Sequence, residues 1–187
     1  DAVVALIDAG KVKSACGPAL TISPAVRDNF YARLDQYQGK IILRPQEISN
    51  APEVIRRLSV IAMNTAIEAD LAGNVNSTHI GGVSIMNGLG GSADYCRNSG
   101  LSIFSTASTA KGGTLSCIVP HVTHVDHTEH DTEIIVTEQG LADLRGLTAY
   151  ERAELMIERC AHPKFRAELR EYVEESRAKA KALHGIL

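Results

Sequence analysis

Short apolar runs rich in β-branched residues recur through the middle of the chain, and glycine-rich loops separate them. They predict strands at Val83–Met86, Leu101–Phe104, Leu115–Val119 and Glu133–Thr137. Strands that are continuously apolar are typical of a sheet covered on both faces. The pattern therefore predicts an α/β fold, with an open, mostly parallel sheet flanked by helices.

Helix signals surround these strands. Ser23-Pro24 opens a predicted helix that reaches about Tyr37, and Asn50 followed by Pro52 and Glu53 is typical of a helix start. Near the end of the chain the pattern becomes helical over 152–160 and then over 163–183. We therefore expect a pair of C-terminal helices beside the sheet.

Length and composition exclude several classes of protein. The chain has 187 residues, 44% of them apolar, with a net charge of −3 and no Trp. A nucleic-acid-binding protein usually has a basic surplus and stacking aromatic residues, and whole-chain disorder needs fewer apolar residues. No apolar run approaches the ~18 residues of a membrane span. The cysteines form no CxxC pair, which predicts reduced thiols and a cytoplasmic location.

The start of the chain predicts a fragment. The first residue is Asp1, and the first methionine is Met63. Residues 1–8 have the pattern of an amphipathic helix already under way, without the features of a secretory signal. We expect residues 1–187 to be one domain of a longer polypeptide.

A glycine-rich segment offers the strongest sign of chemistry. An apolar run leads into Asn87, and glycines follow at positions 88, 90 and 91. Backbone N–H groups without neighbouring Cβ atoms can face an anion or a developing oxyanion. The spacing matches neither the GxGxxG motif nor a P-loop. A tight turn without a ligand is the alternative.

Histidines recur at every third position from 121 to 130, with carboxylates between them. Zinc or iron binding is one interpretation. The segment follows a proline, precedes a strand and lacks an HExxH motif. The alternative is a polar loop whose imidazoles hydrogen-bond to the backbone and to carboxylates.

Three further positions carry polar groups beside predicted elements. Glu138 and Gln139 follow a strand, at the end where α/β sheets bind ligands, although Glu138 could instead cap the next helix. Lys111 stands beside a glycine pair in a hydroxyl-rich run over 105–113 that suits a phosphate group, and a loop without a ligand is the alternative. Asn50 either faces a ligand or caps a helix.

Six strings, in order along nearly the whole chain, resemble the acetyl-CoA hydrolase/transferase family, and most of all its succinyl-CoA:acetate CoA-transferases. They are RPQEISN, NTAIEADLAGNVNSTH, MNGLGGSADY, SIFSTASTAKGG, IVPHVTHVDHTEHD and IIVTEQGLADLRG. The resemblance implies the C-terminal one of two similar α/β domains in a homodimeric enzyme. It also implies a glutamate nucleophile, an acyl-glutamyl anhydride and a glutamyl-CoA thioester, with CoA thioesters and small carboxylates as substrates. No tightly bound cofactor and no metal are expected.

The resemblance assigns roles to five residues. The Gly91 N–H would stabilise the oxyanion and contact CoA, and Asn87 and Lys111 would also contact CoA. Asn50 would hold the acyl or carboxylate group, and Glu138 would close over the site as an accessory acid. The nucleophilic glutamate would lie just upstream of this chain, so we expect the isolated chain to be inactive.

Three other functions stay open at the level of sequence. An acyl-CoA hydrolase would use the same glutamate and oxyanion hole, with water as the acceptor. A non-catalytic CoA-binding or assembly module would need no nucleophile. A metal-dependent hydrolase would rest on the histidines alone.

Overall fold

The chain folds into two units, Asp1–Arg57 and Leu58–Leu187. A computed structural model describes residues 1–184. The elements of unit 1 are α1 (Ala2–Asp8), β1 (Ala15–Gly17), α2 (Pro24–Ala32), β2 (Ile41–Leu43), α3 (Gln46–Ser49) and α4 (Pro52–Leu58). Strands β1 and β2 pair in parallel.

Unit 1 has a small core of its own. Val4 and Ile7 on α1 pack with Phe30 and Tyr37, and the two aromatic rings stack with centroids 4.8 Å apart. The Tyr37 hydroxyl donates to the Asp8 carboxylate at 2.8 Å. The helix predicted to reach Tyr37 ends at Ala32, and a short 3₁₀ helix completes the segment.

Unit 2 contains the sheet that the apolar runs predict. Its strands are β3 (Ile61–Thr65), β4 (Glu68–Asp70), β5 (Val75–Asn76), β6 (His79–Ile80), β7 (Ser84–Ile85), β8 (Leu101–Ser105), β9 (Thr109–Ala110), β10 (Leu115–Ser116), β11 (Ile118–Val119), β12 (Ile134–Thr137) and β13 (Gly140–Asp143). Its helices are α5 (Ser92–Asn98), α6 (Ala149–Arg159) and α7 (Arg166–His184).

The main sheet has the strand order β13-β12-β8-β3. Strands β3, β8 and β12 are parallel, and only β13 is antiparallel to its neighbour. A second sheet, β11-β4-β5, joins a parallel pair to an antiparallel one. The predicted α/β fold with a mostly parallel sheet is therefore confirmed.

Helix α6 covers the main sheet because its apolar residues fall on one face. Ala153, Met156 and Ile157 are buried there, at the i, i+3, i+4 spacing of a helix. Thr148 caps the helix with Glu151, each side chain bonding the other residue's backbone N–H. The predicted C-terminal pair of helices is present as α6 and α7.

Two predicted strands differ in the structure. The run Val83–Met86 forms only the two-residue strand β7, which pairs antiparallel with β6, and Val83 is 89% exposed. The run Leu115–Val119 divides at Cys117 into β10 and β11, which belong to different sheets. Local apolar content did not distinguish these edge hairpins from a buried strand.

The cysteines are free thiols, as the sequence predicts, and Cys96, Cys117 and Cys160 are buried. Burial raises the pKa of the Cys160 thiol to about 11, which leaves it protonated and poorly nucleophilic at neutral pH. None of the helices within residues 1–184 combines the length and the apolar character that a membrane crossing would need.

Candidate active site

A cleft of about 580 Å³ opens at the carboxyl edge of the main sheet. Residues 65–66, 105–107 and 136–138 line it, directly where β3, β8 and β12 end. Parallel strands end at one edge of a sheet, and that edge is where open α/β folds bind ligands. The cleft is therefore the candidate active site of unit 2.

Glu138 lies on the two-residue turn that joins β12 to β13, where Thr137 pairs with Gly140. One carboxylate oxygen of Glu138 accepts from the backbone N–H of Ser108 at 2.8 Å, and the other accepts from the Ser108 hydroxyl. The Gln139 amide donates to it at 3.0 Å. Glu138 is thus tied to the loop that follows β8, across the mouth of the cleft.

These hydrogen bonds stabilise the ionised form of Glu138. The Ser108 hydroxyl, the Gln139 amide and the Ser108 N–H lower the pKa of Glu138 to about 2. A carboxyl group with this pKa is ionised at neutral pH and accepts hydrogen bonds rather than donating a proton. Glu138 does not cap the next helix, because strand β13 follows it.

The turn that carries Glu138 is fixed from both sides. The Thr137 hydroxyl donates to the Cys160 carbonyl at 2.9 Å and accepts from the Gln139 N–H at 3.1 Å. A Cβ on Gly140 would lie 2.9 Å from the carbonyl oxygen of Arg159. The turn therefore packs tightly against the end of α6.

Lys111 lies at the tip of the β9–β10 hairpin, three residues after Ser108. Its backbone is left-handed, with φ of 48°, and its carbonyl accepts from the Thr114 hydroxyl at 2.9 Å. Within residues 1–184, no hydrogen bond or ion pair involves its ammonium group, and the side chain is exposed. It is available to an anionic ligand.

The glycine-rich loop runs from β7 to α5. The Asn87 N–H donates to the Thr78 carbonyl at 3.2 Å, and the Asn87 side chain is exposed. Gly91 is the residue before α5, and its N–H has no acceptor among residues 1–184. The N–H groups of residues 88–90 also have no acceptor there, so the loop presents several free backbone donors, the groups that an oxyanion hole needs.

Asn50 lies in unit 1, where it ends α3. Its side-chain oxygen accepts from the Ser49 hydroxyl at 2.9 Å. The first turn of α4 is instead closed by the Ala51 carbonyl, which accepts from the N–H groups of Val54 and Ile55. The Asn50 amide nitrogen has no acceptor among the described residues and could contact a ligand.

The histidine segment is a polar loop, and within residues 1–184 it contributes to one group of possible metal ligands. His79, His124 and Asp126 bring ligand atoms within 4.8 Å of one another. The Thr78 hydroxyl donates to Asp126 at 2.7 Å and lies 2.7 Å from His79 Nδ1. Burial raises the pKa of Asp126, but hydrogen bonds from Ser77 and Thr78 outweigh it and lower the pKa.

The two imidazoles of this group lie close together, with ring centroids 3.7 Å apart and ring planes tilted by 32°. Two histidines bound to one tetrahedral zinc ion hold their rings roughly 5 Å apart. The rings of His79 and His124 would have to separate before both could bind a metal. The arrangement is better described as a hydrogen-bonded cluster that supports the neighbouring loops.

Comparison with known proteins identifies the family. Residues 27–173 match the acetyl-CoA hydrolase/transferase C-terminal domain. The chain belongs to this family. It is 52% identical over 176 residues to a succinyl-CoA:acetate CoA-transferase of Clostridium kluyveri, covering 94% of this chain and 33% of the relative. It is also 52% identical to an acetyl-CoA hydrolase of Schizosaccharomyces pombe, covering 92% of this chain and 34% of the relative.

A solved structure agrees with this membership. The 4-hydroxybutyrate CoA-transferase of Porphyromonas gingivalis matches with a TM-score of 0.72 and 27% identity, over 94% of this chain and 43% of that one. The chain spans about a third of the length of the curated relatives it matches. The resemblance given by the six strings is confirmed.

Within this family domain, the structure brings some predicted site residues together. Glu138 lies at the cleft and is hydrogen-bonded to Ser108. Lys111 lies three residues after Ser108 in the chain. Asn87 and Gly91 share one loop. In the sequence, Ser108 is only one of several hydroxyls in its run, because its contact with Glu138 joins positions 30 residues apart.

Proposed function

We propose that the protein containing this chain moves CoA between an acyl-CoA and a small carboxylate, of the succinyl-CoA and acetate type. The observation that carries the proposal is the match to the family domain over residues 27–173, together with the cleft at the carboxyl edge of the sheet. Residues 1–187 are its C-terminal domain, and the remaining domain and a second protomer are its partners. It acts in the cytoplasm.

The proposed chemistry is covalent catalysis by a glutamate outside these 187 residues. Its carboxylate attacks the acyl carbonyl, the C–S bond breaks, and an acyl-glutamyl anhydride and CoA thiolate form. The thiolate attacks the glutamyl carbonyl, releasing the acyl group as a carboxylate and leaving a glutamyl-CoA thioester. The acceptor carboxylate takes CoA by the reverse steps. Each tetrahedral step develops an oxyanion that needs hydrogen-bond donors.

The chain contributes groups for these steps. The Gly91 N–H stabilises the oxyanion, Asn50 holds the acyl or carboxylate group, and Asn87 and Lys111 contact CoA. Glu138 faces the cleft as a carboxylate. To act as an accessory acid it would first have to leave Ser108 and gain a proton.

Acyl-CoA hydrolysis is the second candidate, favoured by the 52% identity to the acetyl-CoA hydrolase. A single assay separates the two. The complete protein is given acetyl-CoA with and without succinate, and succinyl-CoA and free CoA are measured. Succinyl-CoA formation supports transfer, and release of free CoA at the same rate without succinate supports hydrolysis. If neither product forms, both enzymatic proposals fail and a binding module remains. We expect the 187-residue chain alone to form neither product.

A further inference from the structure

His127 is a fully buried histidine whose ring reaches the base of the glycine-rich loop. Its exposed fraction is 0%, and its backbone exchanges two hydrogen bonds with Val75, at 2.9 and 3.1 Å. Its ring packs against Phe104 with centroids 4.8 Å apart. Ring atom Nε2 lies 3.0 Å from the Ser92 hydroxyl, whereas Nδ1 is buried without a hydrogen-bond partner in the described residues.

These contacts select one tautomer of the ring. The Ser92 hydroxyl has a single proton, and the Leu89 carbonyl 2.9 Å away can only accept. The hydroxyl therefore donates to Leu89 and accepts from His127, so the proton of the neutral ring is on Nε2. Nδ1 then has only a lone pair, which burial without a partner tolerates better than a second charged N–H.

The hydrogen bonds from His127 to Ser92 and from Ser92 to Leu89 form a relay, which holds the loop at both ends of its glycine pair. Leu89 and Ser92 flank Gly90 and Gly91, and Gly90 has φ of 60°. Glycine backbone is free to move unless something outside the segment holds it. The relay runs from the buried ring of His127 through one hydroxyl to the carbonyl on the far side of the glycines.

We infer that His127 is a positioning residue: through Ser92 it holds the glycine loop so that the Gly91 N–H points to the reacting oxygen. The inference rests on the proposed function, because it needs Gly91 as the oxyanion donor. An oxyanion donor has to lie about 2.7–3.1 Å from the oxygen, a window only about 0.4 Å wide. A loop of two glycines cannot keep that distance by itself.

The test uses the complete protein with four single variants and the double variant Ser92→Ala/His127→Leu. Ser92→Ala removes the hydroxyl that links His127 to the Leu89 carbonyl, and His127→Leu removes the ring N–H that donates to that hydroxyl. His127→Gln retains an N–H donor near the position of Nε2. His130→Gln is the matched control, because His130 is an exposed histidine of the same segment. For each we would measure kcat, KM for acyl-CoA and the hydrogen exchange of a peptide spanning residues 88–92.

We expect Ser92→Ala and His127→Leu to lower kcat by about 10- to 100-fold with KM within about 2-fold, since a displaced donor loses part of the 10²–10³-fold effect of a deleted one. Both should speed exchange in the 88–92 peptide, the double variant should be no worse than the worse single one, and His127→Gln should recover most of kcat. His130→Gln should match the unmodified protein.

Other outcomes overturn the inference. Unchanged kcat in Ser92→Ala, or losses that multiply in the double variant, would show that His127 does not act through Ser92. Equal losses in His127→Gln and His127→Leu would indicate packing rather than the donated proton. If the unmodified protein turns over no acyl-CoA, the proposed function fails. Hydrogen exchange would still show separately whether the relay holds the loop.

Discussion

Glu138 is held in its ionised state by a residue 30 positions away, and this limits what it can do in catalysis. Both of its oxygens are bonded to Ser108, whose side chain is completely buried. A carboxylate that is fixed in this way can orient a ligand or accept a hydrogen bond from it. An accessory acid would instead need a pKa raised towards the working pH.

Replacing Ser108 distinguishes these roles. Ser108→Ala removes the largest cause of the low pKa, so the pKa of Glu138 should rise from about 2 towards its ordinary 4.5. If the carboxylate form is the active one, kcat/KM should begin to fall below about pH 5–6 in the variant and at a lower pH in the unmodified protein. The measurement is a pH–rate profile of CoA transfer.

Ser116→Ala provides the control. Ser116 lies on β10, in the hairpin that follows Ser108, and its hydroxyl donates to the Ile118 carbonyl and not to Glu138. Its pH profile should not change. Higher activity of Ser108→Ala on the acidic side would mean that the protonated form is active, and would support the accessory-acid role.

Lys111 should affect binding more than chemistry. Its exposed ammonium group at a hairpin tip has no partner within residues 1–184, and CoA carries phosphates. We expect Lys111→Ala to raise KM for acyl-CoA by about 10-fold with little change in kcat, as for one lost charge-assisted hydrogen bond. Kinetics at two salt concentrations would check this, because screening should weaken only the protein that retains the charge. Lys179→Ala, on the exposed face of α7, is the control; equal KM in both variants would contradict the role of Lys111.

At the level of elements, the hairpin β12–β13 carries Glu138, and Gly140 sets how closely it approaches α6. A Cβ at Gly140 would collide with the Arg159 carbonyl at 2.9 Å. We expect Gly140→Ala to reduce the free energy of unfolding by about 1–3 kcal/mol, as for other overpacked sites, and to lower turnover by displacing Glu138. Urea unfolding and CoA-transfer kinetics would measure the two effects.

Gly17→Ala is the matched control for this change. A Cβ at Gly17 would lie 3.8 Å from the nearest atom, an ordinary contact distance. Its free energy of unfolding should change by no more than about 0.5 kcal/mol. If Gly140→Ala were equally harmless, the hairpin would not depend on its close approach to α6.

The sequence predicts the central strands well and the edge strands poorly. The predicted strands Leu101–Phe104 and Glu133–Thr137 agree with β8 and β12 to within one residue, because buried parallel strands need continuous apolar residues. Val83–Met86 has a similar composition, yet Ile85 is 75% exposed in a two-strand hairpin. Composition reports apolar content, whereas burial depends on which distant segment packs against it.

The same limit applies to the site. The glycines and Lys111 are recognisable locally, since each lies in a loop of distinctive composition. The bonds from Ser108 to Glu138 and from His127 to Ser92 join residues 30 and 35 positions apart. No local pattern indicates them. The contribution of the fold to the site therefore consists largely of its hydrogen-bonded supports.

At the scale of the whole molecule, His127 should make stability depend on pH. Burial lowers its pKa below the ordinary 6.5, and nearby Arg97 acts in the same direction, whereas Asp126 and Asp131 oppose the shift. The unfolded chain therefore binds this proton at a higher pH than the folded one. The contribution of His127 to the free energy of unfolding should be complete above about pH 6.5. It should fall as the pH drops towards the lowered pKa of the folded state.

A single group of this kind gives a slope of at most about 1.4 kcal/mol per pH unit. Urea unfolding between about pH 7 and pH 5 would measure it. His127→Gln cannot titrate and should be less stable at pH 7 but show a smaller slope, whereas His130→Gln should keep the slope of the unmodified protein. Equal slopes in the unmodified protein and in His127→Gln would mean that the ring accepts a proton in the folded state. In that case Nδ1 would have a partner in solution, and the neutral relay to Ser92 would not be the only state of the loop.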